Sequence, residues 1–552
     1  MDDSPASSPF RQQSIGRQST VTKMSPNEYA EAVKAFSALP IGSNYLSLGE
    51  FLTEDGDSPA AVQIDVKPSS DVALVYSLTI GTEDQDGQRA KTTPSAADRN
   101  SFQSPTQLYE FQPETSCIVF LRGFLSAAWI NNVGSRFFVD PEFFGRHLDF
   151  RSAQDKSNNF STPSLPSASW HLMELPVTII GSRESPLHGM PPSVWIEEER
   201  KRGRDALEKH HDRLSSLSSD ISVSESMIRD YYVFDDIHFA VDQRISICMQ
   251  QAEDGKSEDE RKLFRILVWA DAGSGARHGK HEPWDTESYE SKYHPVIDNK
   301  PMIALKSHLL RSFGAADKDS STPQDPVSQL YQNYGRSLHR ETKAHDPFYA
   351  LGEIFQFSAN SQQQFLNMID AKLRIYTAKG PEYDHEILPH LKYTQQILYS
   401  RILDIRRVLM SIENTLRPAW AKSNSEIGRE KAEIAYNTIQ RDFKHLLDHA
   451  VSLYDRTKEA ISVLQSSISI TESHLASLQA DKAGKLTFLA SAFVPVSVAT
   501  GLFGMNVKEL PGDQISIFWF FVVAVILTMF IFIVFYFDGF WRKIRQERLP
   551  EA

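Results

Sequence analysis

The sequence predicts an α+β region followed by a very long stalk helix and a two-helix transmembrane hairpin. Three observations carry this reading. Two charge-free apolar runs lie near the end of the chain, an amphipathic stretch without proline precedes them, and strand-like segments are confined to the first half. At 552 residues, 41% apolar and 23% charged, the chain is too long for one core and suits two or three structural regions. The expected organisation is a disordered tail over 1–26, an α+β region with disordered insertions over 27–326, a helical stalk over 327–485, and the hairpin with a basic tail over 486–552.

The N-terminal residues are rich in Ser, Gln and Arg and lack the apolar run of a signal peptide. Asp2, Asp3, Pro5 and Pro9 interrupt any amphipathic transit helix. Apolar and aromatic density between Cys117 and Phe150 marks an ordered core segment. Strands are expected at Leu172 to Ile180, Asp230 to Ala240, Ser246 to Gln250 and Leu263 to Trp269, where β-branched and aromatic residues cluster. Ser-, Asp- and Pro-rich stretches at about Glu83 to Pro105, Lys156 to Ala168 and Gly314 to Pro326 read as loops or insertions. The charged run from Glu197 to Arg213, with His210 and His211, reads as a solvated helix. Cys117 and Cys248 are the only cysteines, which argues against a disulfide framework and for inert packing residues in a reducing compartment.

Helices follow at about Pro347 to Ala378 and Pro381 to Arg417, with Pro389 marking where the second becomes helical. From about Gln440 to Gly484 apolar residues recur in steps of three and four, from Phe443, Leu446 and Ala450 to Leu475 and Leu478. A stalk with such a seam packs against other helices or copies of itself.

Leu486 to Phe503 and Ile517 to Phe537 contain no charged residue, and at about 1.5 Å per residue each approaches or exceeds the bilayer's hydrocarbon thickness. Lys482 and Lys485 precede the first run, and Arg542, Lys543, Arg545 and Arg548 follow the second, so the positive-inside rule places both termini in the cytoplasm. The intervening residues then face outward with Glu509 and Asp513 against one Lys508, a mouth that would concentrate cations or simply a solvated turn. The first run is small and mildly polar and the second bulky, which makes the first the inner helix of an oligomer.

The long helix, the proline-bearing first span with Pro495, the tripeptide Gly504-Met505-Asn506, the short acidic loop, the second span and the basic tail together resemble the CorA family of magnesium channels. The resemblance runs over roughly Pro381 to Arg545. It implies a homopentamer with a cytoplasmic funnel, a selectivity filter at Gly504, Met505 and Asn506 with Asn506 forming the outer ring, and Leu486, Val494, Ser497 and Gly501 lining the pore. Neutral Asn carbonyls suit Mg²⁺, which dehydrates reluctantly and is best recognised with its waters kept. Here the loop reads Lys508-Glu509-Leu510-Pro511 where the family often has Met-Pro-Glu-Leu, so Glu509 is a loose counterpart.

His445, Asp448 and His449 share a helical face, a solvated surface in the first reading and an accessory metal site in the second. No phosphate loop, nucleophile elbow or CxxC pair points to an enzyme, and no cofactor is expected. The net charge of −13 disfavours nucleic acid and leaves lipid, further copies of the chain and divalent cations as partners. The expected activity is passive Mg²⁺ transport in a multi-pass membrane protein, with the plasma membrane ahead of the mitochondrial or vacuolar one. Zn²⁺, Co²⁺ or Ni²⁺ transport on the same scaffold and a non-conducting scaffold or sensor are the alternatives.

Overall fold

The computed structural model describes residues 24–53, 71–78, 99–113, 115–149, 165–166, 168–183, 192–215, 223–251, 263–273, 291–298, 327–335, 337–378, 384–415, 426–504 and 517–546. The loop readings at 156–164 and 314–326 lie outside these residues. Two compact units result: Met1–Lys379 with Pro389–Lys458, and Gly380–Leu388 with Glu459–Ala552.

Unit 1 opens with α1 (Pro26–Ser37), which starts where it does because Ser25 and Glu28 form a reciprocal capping box. A 3₁₀ turn (Pro40–Tyr45) leads into α2 (Leu46–Thr53). Then come β1 (Ala73–Ser77), β2 (Arg99–Phe102), α3 (Pro105–Glu110), β3 (Cys117–Arg122), α4 (Ala127–Phe137), α5 (Pro141–His147) and β4 (Leu172–Arg183). After α6 (Pro192–Ser215) follow β5 (Asp230–Val233), β6 (His238–Gln251), β7 (Phe264–Ala270) and β8 (Ser291–Tyr293). Among the described residues the strands form one sheet in the order β2-β1-β3-β7-β6-β4-β8, with β5 also paired to β6. The β3–β7 pair is parallel and the other pairs are antiparallel. Every residue of β3 is buried, as its apolar run CIVFL requires of a strand covered on both faces, while Arg122 at its end donates to the Asp71 and Gly273 carbonyls. One core cluster joins Val33, Phe51, Ile130 and Phe144 of α1, α2, α4 and α5 to Leu121 and Trp269 of the sheet.

Three expectations are corrected. The run Asp230 to Ala240 is two strands, because the Asp235 carboxylate accepts the Ile237 and His238 amides and turns the chain. Residues 99–102, read as part of an insertion, form the edge strand β2. The charged run 197–213 is helical within α6 but not simply solvated: Glu199 and His210 are buried, and Glu199 accepts the Arg183 guanidinium at 2.7 Å. Both cysteines are free and buried, and burial pushes the Cys117 thiol up to about 12.

The helical remainder comprises α7 (Ser328–Asn333), α8 (Arg340–His345), α9 (Pro347–Ala350), α10 (Gly352–Thr377), α11 (Asp384–Thr415), α12 (Glu426–Gly504) and α13 (Ile517–Gln546). Pro389 lies inside α11 rather than at its start, near enough to the N-terminus that one backbone bond is forgone. α10 covers the free edge of β4. Ser361 Oγ accepts the Thr178 amide at 2.8 Å and donates to the Thr178 carbonyl, while Ser358 and Gln362 donate to the carbonyl of Pro176. Pro176 offers no N–H, so an edge position suits it, and buried side chains from the helix satisfy what a further strand would have taken. On α12 the predicted seam is buried at Phe443, Leu446, Ala450, Leu453, Thr457 and Ile461, but Ile470, Leu475 and Leu478 are exposed.

Beneath α5 lies a buried ionic cluster. Asp271 accepts Arg229 through both carboxylate oxygens at 2.7 Å and the Arg244 amide at 2.6 Å. His147 Nε2 is 3.1 Å from Asp271 and its Nδ1 2.8 Å from Ser246 Oγ, while the ring stacks on Trp269 at 3.8 Å. The carboxylate assigns the ring proton to Nε2, so the Ser246 hydroxyl donates to Nδ1. Ser246, His147 and Asp271 are all buried, which makes the trio a packing device. Burial holds His147 down at about 4, with Asp271 opposing and Arg229 and Arg244 assisting. The unfolded chain takes up this proton as pH falls below about 6.5, the native state only near 4, so stability declines across that window by up to roughly 3 kcal/mol. The thermal midpoint of the wild type therefore falls more steeply between pH 6.5 and 4.5 than that of His147→Gln; equal slopes would refute the assignment.

Candidate functional site

The predicted site residues fall on the C-terminal part of α12 and beyond it. Apolar and small residues with few helix breakers let the helix run on through Pro495 to Gly504. Proline has no amide hydrogen, so the Ser491 carbonyl lacks its usual partner four residues on. Leu486 is 68% exposed and Val494 54% exposed. Ser497 Oγ donates to the Phe493 carbonyl at 3.0 Å, and Thr500 Oγ1 to that of Val496 at 2.7 Å. These hydroxyls are satisfied within the helix and need no water, a device that lets polar side chains sit on an apolar rod. Among the described residues a Cβ added at Gly501 would meet nothing within 4 Å, so this glycine is not set there by close packing among them. Gly504 is the last described residue of the helix. Met505, Asn506, Glu509 and Asp513 lie outside the described residues, so only part of the predicted filter and none of the acidic mouth is placed.

α13 carries the second run, with no charge from Ile517 to Phe537. Phe530 is 64% exposed, and Ile526 and Ile533 are likewise open. Among the described residues no helix is both long and apolar enough to cross a membrane, and several positions of α12 and α13 lie outside that description.

His445, Asp448 and His449 occupy one stretch of α12 without forming a cluster. The two imidazole rings stand 6.1 Å apart and tilted. Burial pushes His449 down, helped by His445 and Arg456 and opposed by Asp370. Among the described residues no group of three or more His, Cys, Asp or Glu is arranged to hold a metal ion.

Sequence reading missed the polar contacts that seat the helices of unit 1. Asp370 of α10 accepts Arg456 of α12 and Arg374, both at 2.6 Å. Arg401 of α11 pairs with Asp242 of β6. No local pattern flags either, since the partners are 86 and 159 residues apart.

Residues 327–543 match the family described as CorA-like Mg²⁺ transporter protein. The zinc transport protein ZntB of Vibrio parahaemolyticus is 22% identical over 270 residues, 46% of this chain and 79% of the relative. The magnesium transporters ALR1 and ALR2 of Saccharomyces cerevisiae are 40% and 42% identical over 60 residues, 11% of this chain and only 7% of each relative. The CorA magnesium transporter structure from Methanocaldococcus jannaschii aligns over 65% of this chain and 97% of its own at 15% identity, with a TM-score of 0.25, too low to bear on the fold here. Over residues 327–543, the stretch that holds α12, most of α13 and the start of the predicted filter, the chain is similar to the CorA-like Mg²⁺ transporter family.

Proposed function

We propose that this chain is one subunit of a homopentameric channel that passes hydrated divalent cations, Mg²⁺ first among them, down their electrochemical gradient. The observation that carries the reading is the tripeptide Gly504-Met505-Asn506 in the sequence between two charge-free runs flanked by lysines and arginines, the first of them carried by a 79-residue helix that reaches Gly504. Open apolar side chains such as Leu489, Phe493 and Phe530 favour it as well, because a surface of that kind is stable against lipid or protein rather than water. On this reading α12 and α13 cross the membrane as a hairpin, both termini face the cytoplasm, and the region before residue 486 is a cytoplasmic α+β domain with its stalk. Two helices per subunit cannot enclose a pore, so several copies line it together, Leu486 and Val494 as apolar constrictions, Ser497 and Gly501 between them and the filter.

Transport of Zn²⁺ is the second reading, favoured by the zinc transport protein among the relatives. The chemistry of the filter leans the other way, since amide oxygens suit hard cations and no thiolate or imidazole lies at the proposed mouth. Reconstituted vesicles offered Mg²⁺ or Zn²⁺, with and without an inside-negative potential, test both. A divalent ion gains about 4.6 kcal/mol per 100 mV, so a passive channel shows uptake that rises steeply with the imposed potential. Uptake of Zn²⁺ alone would replace the ion, and no uptake of either would leave a membrane scaffold.

A further inference from the structure

We propose that Arg401 and Asp242 are a positioning pair that holds α11 in one register on the sheet, and that ion flux depends on this register rather than on stability the pair supplies. The inference rests on the channel reading above. Asp242 stands directly opposite Thr178 in the β4–β6 ladder. Thr178 Oγ1 donates to its Oδ1 at 2.7 Å and the Tyr232 hydroxyl to its Oδ2 at 3.0 Å. Gln362 of α10 in turn donates to Thr178 Oγ1 at 3.1 Å. Three strands thus present a buried carboxylate already oriented by neutral donors, and its compensating cation comes from a helix.

That cation is Arg401. Its side chain is 2% exposed, its Nη2 lies on Asp242 Oδ2, and its guanidinium sits 5.2 Å from the Phe365 ring centroid and 5.7 Å from that of Tyr232. Nε finds no acceptor among the described residues. Asp404, one turn along the same helix, is 4.0 Å from Nη1, and Asp230 also feels the charge. A buried pair of this kind adds little net stability against an apolar substitute, because desolvation consumes the Coulombic gain, whereas stranding one partner is costly. Sliding α11 by one turn, about 5.4 Å, would strand both charges. Docking is therefore all or none.

The register matters beyond the sheet because α12 rests on α11. Tyr436 donates to the Ile412 carbonyl at 3.5 Å, Gln440 to Glu413 at 3.2 Å, and Tyr399 packs on Tyr454. α12 is the helix that reaches Gly504.

The test uses the full chain in vesicles, as wild type, Arg401→Met, Asp242→Asn, the double variant and Arg401→Lys. Thermal midpoint, amide exchange over 389–415 and Mg²⁺ flux per assembled protein are measured on each. Arg401→Met lowers the midpoint and speeds exchange over 389–415 by about tenfold or more while the β7 amides hold. Its flux falls about fivefold or more, and Arg401→Lys recovers part of it. The double variant regains most of the midpoint, since neither charge is left buried alone, but not the flux. Recovery of flux together with the midpoint would make the pair merely structural and overturn the proposal, as would wild-type flux in Arg401→Met or faster exchange spread evenly over the sheet. Wild-type vesicles that carry no ion would count against the channel reading, and the exchange pattern would still decide the register.

Discussion

Asn506→Ala lowers Mg²⁺ flux by about tenfold or more in vesicles containing equal amounts of assembled protein, the largest loss expected from any single side chain. In the proposed pentamer the substitution would delete five amide acceptors at once, each contributing about 1 kcal/mol to holding the ion's water shell at the mouth. Mg²⁺ sheds water reluctantly, so an entrance that recognises the hydrated ion is the one it can use at speed. Asn506→Asp separates recognition from release: a ring of carboxylates binds more tightly and lets go more slowly, so flux falls at saturating Mg²⁺ while the ion concentration for half-maximal flux falls with it. Unchanged Mg²⁺ flux in well-expressed Asn506→Ala protein would sink the filter assignment. Loss of flux with normal assembly and normal exchange over 389–415 would also set this residue apart from Arg401, whose replacement acts through the seat of a helix.

What could be read from the sequence is what is local. The charge-free runs, their basic flanks and the tripeptide between them are contiguous, and the apolar steps along α12 from Phe443 to Ile461 reappear as its buried face. The seam from Ile470 to Leu478 has the same spacing but is exposed within a single chain, because periodicity names an apolar face without naming its partner. β5 and β6 were indistinguishable from one strand because both are apolar and the turn between them is made by a single carboxylate, Asp235. β2 carries Arg99, Asn100 and Ser101, an edge composition that has no strand signal of its own. The burial of Glu199 in a run that reads as fully polar depends on Arg183, and Ile196 just before it joins the apolar cluster around Tyr231 and Phe239, which the fold brings there. Met505 and Asn506, the residues with the sharpest sequence signal, owe it to chemistry and position alone.

Asp271→Ala is expected to cost the native state roughly 3 to 5 kcal/mol, the largest stability effect in unit 1. The carboxylate is fully buried and is met by Arg229, the Arg244 amide and His147 together. Its removal leaves a guanidinium and a backbone amide without their acceptor beneath Trp269. Arg229 keeps Asp149 at 2.6 Å and the His147 carbonyl at 2.7 Å, which limits the loss but does not replace a two-point charge-assisted contact. Asp271→Asn keeps the shape and one acceptor and so costs less, which separates the charge from the cavity. Amide exchange in β6 and β7 reads the result directly, as a rise of a few hundred- to a few thousand-fold for the Ala variant at fixed pH. The same carboxylate lies well below the ordinary range, first against burial and then through Arg229 and His147, so its contribution is present above about pH 3.8 and is lost only as the pH falls further. The Ala variant should therefore lose its disadvantage relative to wild type in strong acid, after the decline due to His147 is complete. A rise in exchange of less than about fivefold, or one confined to α5, would mean that the cluster orders a single helix end and does not hold β6 and β7 together.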